Sequence, residues 1–218
     1  MHLLSVNVGR PESINTKSGK TGIFKRPVSG PVHVGTYGLA GDAICDTKHH
    51  GGRDQAVYLY GTADYAWWSA ELGTELEPGT FGENLTVTGL ESADCLIGDR
   101  FHMGSDEDAV ILEVTAPRIP CVTLATRMGD PNFVKRFRFA ERPGLYCRVI
   151  RPGAVQAGDT VELVRYKGET ISAREMFRLF YAPQPDEQTL RRHLAAPIAE
   201  RGRTEKEGQL QVIIQNNQ

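Results

Sequence analysis

The sequence predicts a mostly β fold, a curved and barrel-like sheet with peripheral helices, followed by a small all-α C-terminal extension. Three observations predict it. Short runs rich in β-branched and aromatic residues, each bounded by Gly, Pro or Asp, recur through the first three quarters of the chain. Two of them, in "IGDRFHMG" and "AGDTVELV", open on a Gly-Asp step, in which Gly supplies the turn conformation and Asp caps it. Past about residue 168 this pattern gives way to helical signals. Many short strands at such spacing favour a curved sheet or barrel over a doubly wound parallel sheet. The implied division is a β-rich unit over 1–167 and a helical unit over 168–218.

In chain order, the expected strands are "HLLSVNV" (2–8), "GPVHVGT" (30–36), "DQAVYLY" (54–60) and "ENLTV" (83–87). "AVILEVTA" (109–116), "GLYCRVI" (144–150) and "DTVELV" (159–164) follow. A helix interrupts them at "TADYAWWSAEL" (62–72), with Ala63, Ala66, Trp67 and Ala70 on one face. A shorter one is expected in "DPNFVKRFRFA" (130–140), whose Pro stands at an allowed first-turn position. Ser172 and Glu175 form a capping-box pattern that opens a helix with the stripe Met176, Phe177, Phe180 and Tyr181. A second tail helix is expected at 185–196, a poor third at 197–208, and a terminal strand or frayed end at "LQVIIQNNQ".

Composition excludes several classes. A formal net charge of −2 provides no global field for nucleic acid or an anionic membrane. No apolar run is long enough to span a bilayer, and the N-terminus lacks a signal-peptide pattern, so the expected location is the cytoplasm. Cys45, Cys95, Cys121 and Cys147 contain no C-x-x-C pair, which argues against an iron–sulfur cluster, a zinc ribbon or a thioredoxin motif. Each thiol stands alone.

Four segments are candidates for chemistry. "SGKTG" (18–22) is not a phosphate loop, because position 14 is Ile and "GIFKRPV" extends where a helix should start. It leaves a basic cluster, Lys17, Lys20, Lys25 and Arg26, either a solvated loop or an anion site. The stretch 38–60 holds Asp42, Asp46, His49, His50, Gly51 and Gly52, where paired glycines allow close backbone approach and an Asp can fix an imidazole tautomer. Asp46, His49 and His50 provide at most part of a zinc site, and a polar hairpin with surface histidines is the competing reading. In "PGTFGENLTV", Glu83 and Asn84 enter a strand, where Asn84 suits a turn hydrogen bond.

The fourth is "EVTAPRIPCVTLATRMGD" (113–130). Cys147 alternates with Leu145 and Val149 and is expected to be buried and inert, while Cys45 and Cys95 lie in turns with nothing to activate them. Cys121 differs: it follows a strand end, Pro120 restrains its approach, and Arg118 can stabilise a thiolate. A second buried thiol is the alternative.

Five patterns in one order, "GIFKRPVSGPVHVGTYGLAGD", "DTKHHGGRDQAVYLY", "GTFGENL", "IGDRF" and "APRIPC", resemble the MOSC-domain family, named after the C-terminal part of molybdenum-cofactor sulfurase. The likeness is greatest to its small stand-alone bacterial branch (YiiM-like) with a C-terminal three-helix domain. It covers roughly residues 1–165 as the MOSC body, with the tail from about 168 matching the helical domain. The resemblance implies a β-barrel-like core and a molybdenum ion in a pterin cofactor (molybdopterin), with Cys121 as its protein ligand. A soft thiolate suits that metal. It implies that Asp46, His49, His50, Gly51, Gly52 and Asn84 border the pocket, that Arg118 helps to keep the thiol deprotonated, and that Lys25, Arg26 or a backbone nest meets the pterin phosphate. The doubled histidine leaves open which imidazole faces the pocket.

The activity implied is reductive removal of hydroxyl from N-hydroxylated compounds of the hydroxylaminopurine or amidoxime type, a detoxification, with His50 or Asp46 as candidate proton donor. No flavin or iron–sulfur motif is visible, so electrons are expected from separate reductase and carrier proteins. Phe177, Phe180 and Tyr181 either dock such a partner or pack within the tail's own core. No nucleic-acid or membrane partner is expected, and a homodimer is an open option. Three rivals remain: a sulfur or cofactor carrier using Cys121 without turnover, a Cys–His hydrolase of Cys121 and His50, and a non-catalytic binding domain.

Overall fold

The computed structural model describes residues 1–48, 50–105, 107–182 and 184–216. The N-terminal half carries strands β1 (Leu3–Val8), β2 (Glu12–Ser13), β3 (Lys20–Thr21), β4 (Arg26–Pro27), β5 (Val32–Gly35), β6 (Gly38–Leu39), β7 (Val57–Gly61) and β8 (Leu85–Val87). Helix α1 (Thr62–Leu72) lies between the last two. Then come β9 (Arg100–Met103), β10 (Val110–Pro117), α2 (Val122–Met128), α3 (Phe133–Ala140), β11 (Leu145–Arg151), β12 (Gly153–Val155) and β13 (Val161–Val164). The chain ends in α4 (Ala173–Phe180), α5 (Glu187–Ala195) and α6 (Glu200–Asn216).

Eight strands form one mixed sheet in the order β13-β9-β10-β11-β7-β8-β1-β4. Its β7–β8 pair is parallel, because α1 provides the crossover that a parallel connection requires. Toward its ends the sheet curls until the amide of Leu3 donates to Asp159 O (2.9 Å) and that of Gly158 to Leu3 O (2.8 Å), around an isolated His2–Thr160 bridge. The structure therefore shows a large mixed sheet with peripheral helices, and its closure amounts to that bridge.

The interior is aromatic. Trp68 of α1 stacks on Phe137 of α3 (5.8 Å), which meets Phe177 of α4 edge-on (6.4 Å). Trp68 Nε1 donates to Tyr60 Oη (2.9 Å), so its polar edge is satisfied in the core. The expected Ala63/Ala66/Trp67/Ala70 face of α1 is not the buried one: Asp64, Tyr65 and Trp68 face inward, and Trp67 lies outside under the Arg142 guanidinium. Large rings bury far more area than alanines, and Asp64 is tolerated because Arg142 (3.0 Å) and the Ser92 amide (3.0 Å) donate to it.

The tail is held at several points. Leu96 bridges Ser172, and the Ala173 amide donates to Cys95 O (2.8 Å). Arg148 Nη2 donates to Pro197 O (3.1 Å) and Ile198 O (3.0 Å). Ser172 accepts from the Glu175 amide (3.1 Å) as the cap pattern requires, but the Glu175 carboxylate turns to Arg192 (2.9 Å). Asp186 caps α5 through the Thr189 amide (2.7 Å). The expected poor third helix and terminal strand are instead one helix, α6, running through to Asn216. Its half-buried Lys206, Leu210, Ile213 and Ile214 fall at helical spacing, so the β-branched run serves as a helix face. Phe177 joins the main core rather than a separate tail core, whereas Phe180 stays exposed. Among the described residues no helix is long and apolar enough to cross a membrane.

Candidate functional site

Strand β10 ends at Pro117, and the chain then runs through Arg118-Ile119-Pro120 to Cys121, which stands at the N-cap of α2 in an extended conformation (φ −128°, ψ 171°). Prolines on both sides of Arg118 leave this approach little freedom. Cys121 is half-buried and lines a cavity of about 750 Å³. Burial alone would raise its thiol pKa, but the hydrogen bond from His50 and the nearby Arg118 guanidinium outweigh it and lower the pKa from 9.0 to about 6. The other core thiols move the opposite way: burial pushes Cys95 up to about 12 and Cys147 well above its ordinary value. Cys45 is exposed and also lines the cavity.

The surroundings of Cys121 come from four segments of the chain. Arg118 is buried, donates through Nη1 to Phe81 O, and lies 4.9 Å from the Tyr58 ring centre. Its Nε has no hydrogen-bond partner among the described residues. Tyr58 of β7 and Tyr146 of β11 are register partners, so their rings come from one pair of adjacent strands. Tyr146 Oη is 3.1 Å from His50 Nδ1, and the His50 amide donates to Asp46 O (3.0 Å). Gly51, at φ +78°, carries the loop past Ile44, whose side chain a Cβ there would meet at 2.9 Å.

A second wall holds Lys25, Asp42 and Asn84. Lys25 Nζ is 2.5 Å from both Asp42 oxygens, and Asp42 also accepts from the Gly9 amide (2.8 Å) and Asn84 Nδ2 (2.9 Å). Burial lowers the Lys25 pKa, and Asp42 opposes that shift. Asn84 Oδ1 accepts from the Tyr58 amide (3.1 Å), so this residue ties the lysine–aspartate pair to β7.

Of the residues singled out in the sequence, the cavity brings together Cys121, Arg118, His50, Gly51, Asp46, Asp42, Asn84, Lys25, Lys17 and Lys20. Gly52 is not among the lining residues, and Arg26 points to the surface, paired with Glu12 at 2.5 Å. His49 lies outside the described residues. Sequence reasoning missed Gln55, Tyr58, Tyr146 and Lys206, all of which line the cavity, and it gave Phe180 a docking or packing role rather than this one. Gln55 Oε1 is buried without a hydrogen-bond partner among the described residues. The two tyrosines had a signal in strand alternation, but the β7–β11 pairing that joins them is long-range.

A model of the MOSC domain matches residues 46–162, which contain Cys121 and His50. The chain belongs to the MOSC domain family. It is 35% identical over 181 residues to Bacillus subtilis "Uncharacterized protein YflK", covering 82% of this chain and 80% of that one. It is also 35% identical over 171 residues to a protein of Gibberella moniliformis named "Reductase", covering 74% of this chain but 29% of that longer one. The crystal structure of YiiM from Geobacillus stearothermophilus superposes with a TM-score of 0.78 at 26% identity, covering 96% of this chain and 98% of that chain. For this MOSC protein the match extends over the helical tail as well as the sheet.

The family's name points to a molybdenum cofactor, and the residues present fit one. Among the described residues no cluster of three or more His, Cys, Asp or Glu could hold a metal ion. What the cavity offers is one acidic thiol beside a buried guanidinium, with Lys25, Gln55 and Asn84 among its polar lining residues. A metal that carries most of its ligands with it needs such a donor set: one soft protein ligand, and hydrogen-bonding groups for the organic part. Gly82, at φ +75°, widens the space before Arg118, since a Cβ there would stand 2.8 Å from Ile23 and 3.5 Å from Arg118 Nη1.

Proposed function

We propose that this MOSC protein is an oxidoreductase that holds a molybdenum cofactor through Cys121 and reduces N-hydroxylated compounds of the hydroxylaminopurine or amidoxime type. The observation that carries the reading is the Cys121 thiol, acidified to about 6, facing a cavity of about 750 Å³. That volume lies in the upper part of the usual range for ligand pockets, roughly 300–1,000 Å³. The relative named a reductase supports the reaction class.

When bound, the cofactor supplies the two-electron chemistry by which N–OH, two electrons and two protons become N–H and water. The chain's own residues do the rest. Cys121 enters as thiolate and anchors the group, and Arg118 balances that charge without leaving its contacts to Phe81 and Tyr58. Arg118 and Gln55, which line the cavity, bring hydrogen-bonding side chains to the organic ring. His50, anchored at Nδ1 by Tyr146, is the group placed to pass a proton to the departing oxygen, and Asp46 steadies its loop through a backbone carbonyl. Lys25 contributes structure, since its charge is matched by Asp42. Electrons come from separate reductase and carrier proteins, and the physiological role is detoxification in the cytoplasm.

Anaerobic purification from a host that makes the cofactor, metal analysis and a reduced-viologen assay on an amidoxime test the reading. Stoichiometric molybdenum with turnover is expected, both lost in Cys121→Ser; a Cys121→Ser protein that kept metal and activity would refute the ligand. The contact between His50 and Cys121 also favours a second reading, a Cys–His hydrolase. Activity in a host lacking the cofactor would select it, and metal without turnover would select the carrier role.

A further inference from the structure

The cavity that holds Cys121 is not closed by the MOSC sheet alone. Met176, Leu179 and Phe180 line it from α4, and Arg201, Gly202, Glu205, Lys206 and Gln209 line it from α6. The α4 set recurs at three and four residues, and the α6 set is the pairs 201/202 and 205/206 followed by 209, so each helix presents one face to the cavity.

Two features of this wall are unsatisfied. The first is apolar: Phe180 of α4 and Val122, which follows Cys121, are 62% and 65% exposed while lining the same cavity. The second is charged. Arg201 donates to Lys48 O (3.1 Å), and Arg203 donates to Leu194 O (3.0 Å) and Ala196 O (2.8 Å). Lys206, half-buried on the same helix, has no hydrogen bond and no carboxylate within ion-pair distance among the described residues. Burial disfavours its charged form, opposed by the neighbouring Glu205. The two helices meet within this wall: a Cβ on Gly202 would stand 3.9 Å from Met176 Cε, and Lys206 lies one helical turn beyond Gly202.

We propose that the tail helices form the substrate-selecting wall of the site, where α4 carries the flat apolar body of the substrate and Lys206 pairs with an anionic group on it. The preferred substrates are then N-hydroxylated aromatic compounds that bear a carboxylate or phosphate. The inference rests on the reductase reading for the reaction, but not for the binding. An anion beside Lys206 restores the electrostatic partner that burial takes from its ammonium group, which a neutral ligand leaves unmet.

The test uses a matched pair, benzamidoxime and 4-carboxybenzamidoxime, with reduced viologen as electron donor, together with calorimetric binding of the product pair, benzamidine and 4-carboxybenzamidine. Wild type is expected to prefer the carboxylated member in both assays. Lys206→Met should remove roughly five- to tenfold of that preference, Lys206→Arg should keep it, and added salt should shrink it. An unchanged preference in Lys206→Met, or none in wild type, overturns the proposal. A fall in the molybdenum content of Lys206→Met assigns the lysine to the cofactor's phosphate and also overturns it. Absence of turnover with an intact, Lys206-dependent binding preference supports the wall and strikes only the reductase reading.

Discussion

At the scale of single residues, the four thiols separate by environment rather than by sequence neighbours. In cofactor-free protein, Cys121 should react with iodoacetamide with a midpoint near its pKa of about 6, as mapped by mass spectrometry across pH, while Cys95 and Cys147 stay unmodified in the folded chain. His50→Ala removes the hydrogen bond and should move that midpoint upward; an unmoved midpoint leaves Arg118 and the Leu124 amide as the activators. The sign for stability follows from the same shift. A folded pKa near 6 lies below the roughly 8.5 of an unfolded thiol, so the thiolate's contribution is complete above that value and lost as pH falls through about 6. Cys121 was legible because two prolines and an arginine next to a strand end are local features. Gln55 and Lys206 were not, because an unpartnered atom is defined by everything around it and no spacing in the chain reports that.

Among the elements, the helices show where local pattern stops being informative. The bounds of α1 match the periodic stretch, helped by Gly73 closing it at φ +67°, but its buried face was misassigned because three alanines and Trp67 imitate an apolar stripe. Phe137 joins α3 to both α1 and α4, and Phe137→Ala should cost about 3–5 kcal/mol in denaturant unfolding, the usual range for a large core ring. The tail holds a pH-sensitive residue as well. His193 of α5 is fully buried with neither ring nitrogen hydrogen-bonded among the described residues, and burial, then Lys206 and Arg192, lower its pKa from 6.5 to about 4. The only facing carboxylate among its described ion-pair contacts is Glu175, 3.8 Å from Nε2 and already paired with Arg192. The unfolded chain therefore takes up a proton between pH 6.5 and 4 that the folded chain refuses, and stability present above 6.5 is lost across that window. His193→Leu should flatten the fall in Tm between pH 7 and pH 5, as followed by circular dichroism; an equal fall in both proteins would place the acid sensitivity elsewhere.

For the whole molecule, the decisive arrangement is that sheet and tail share one core and one cavity. The sequence pointed to two units because its periodicity changes near residue 168, and periodicity describes each element's exposed and buried faces without saying what covers them. Here the cover is mutual. Arg148 of β11 reaches out of the sheet, pairs with Asp54 (3.2 Å) and donates to the carbonyls of Pro197 and Ile198 in the turn before α6, while the Glu200 amide at the start of α6 donates to Asp54 Oδ2 (2.7 Å). One arginine and one aspartate thus fix where α6 begins, and with it where Lys206 stands. Arg148→Met keeps the aliphatic packing but leaves two carbonyls and Asp54 without their cation, a loss of about 1–3 kcal/mol confined to the seam. Hydrogen exchange should speed up in α6 and leave the β10–β11 ladder protected. KM for a substrate held by the tail should rise while molybdenum content, set by Cys121 in the body, stays level. Exchange that quickens equally in tail and ladder would mean that the two parts unfold as one unit, and that the seam carries no separate control over the site.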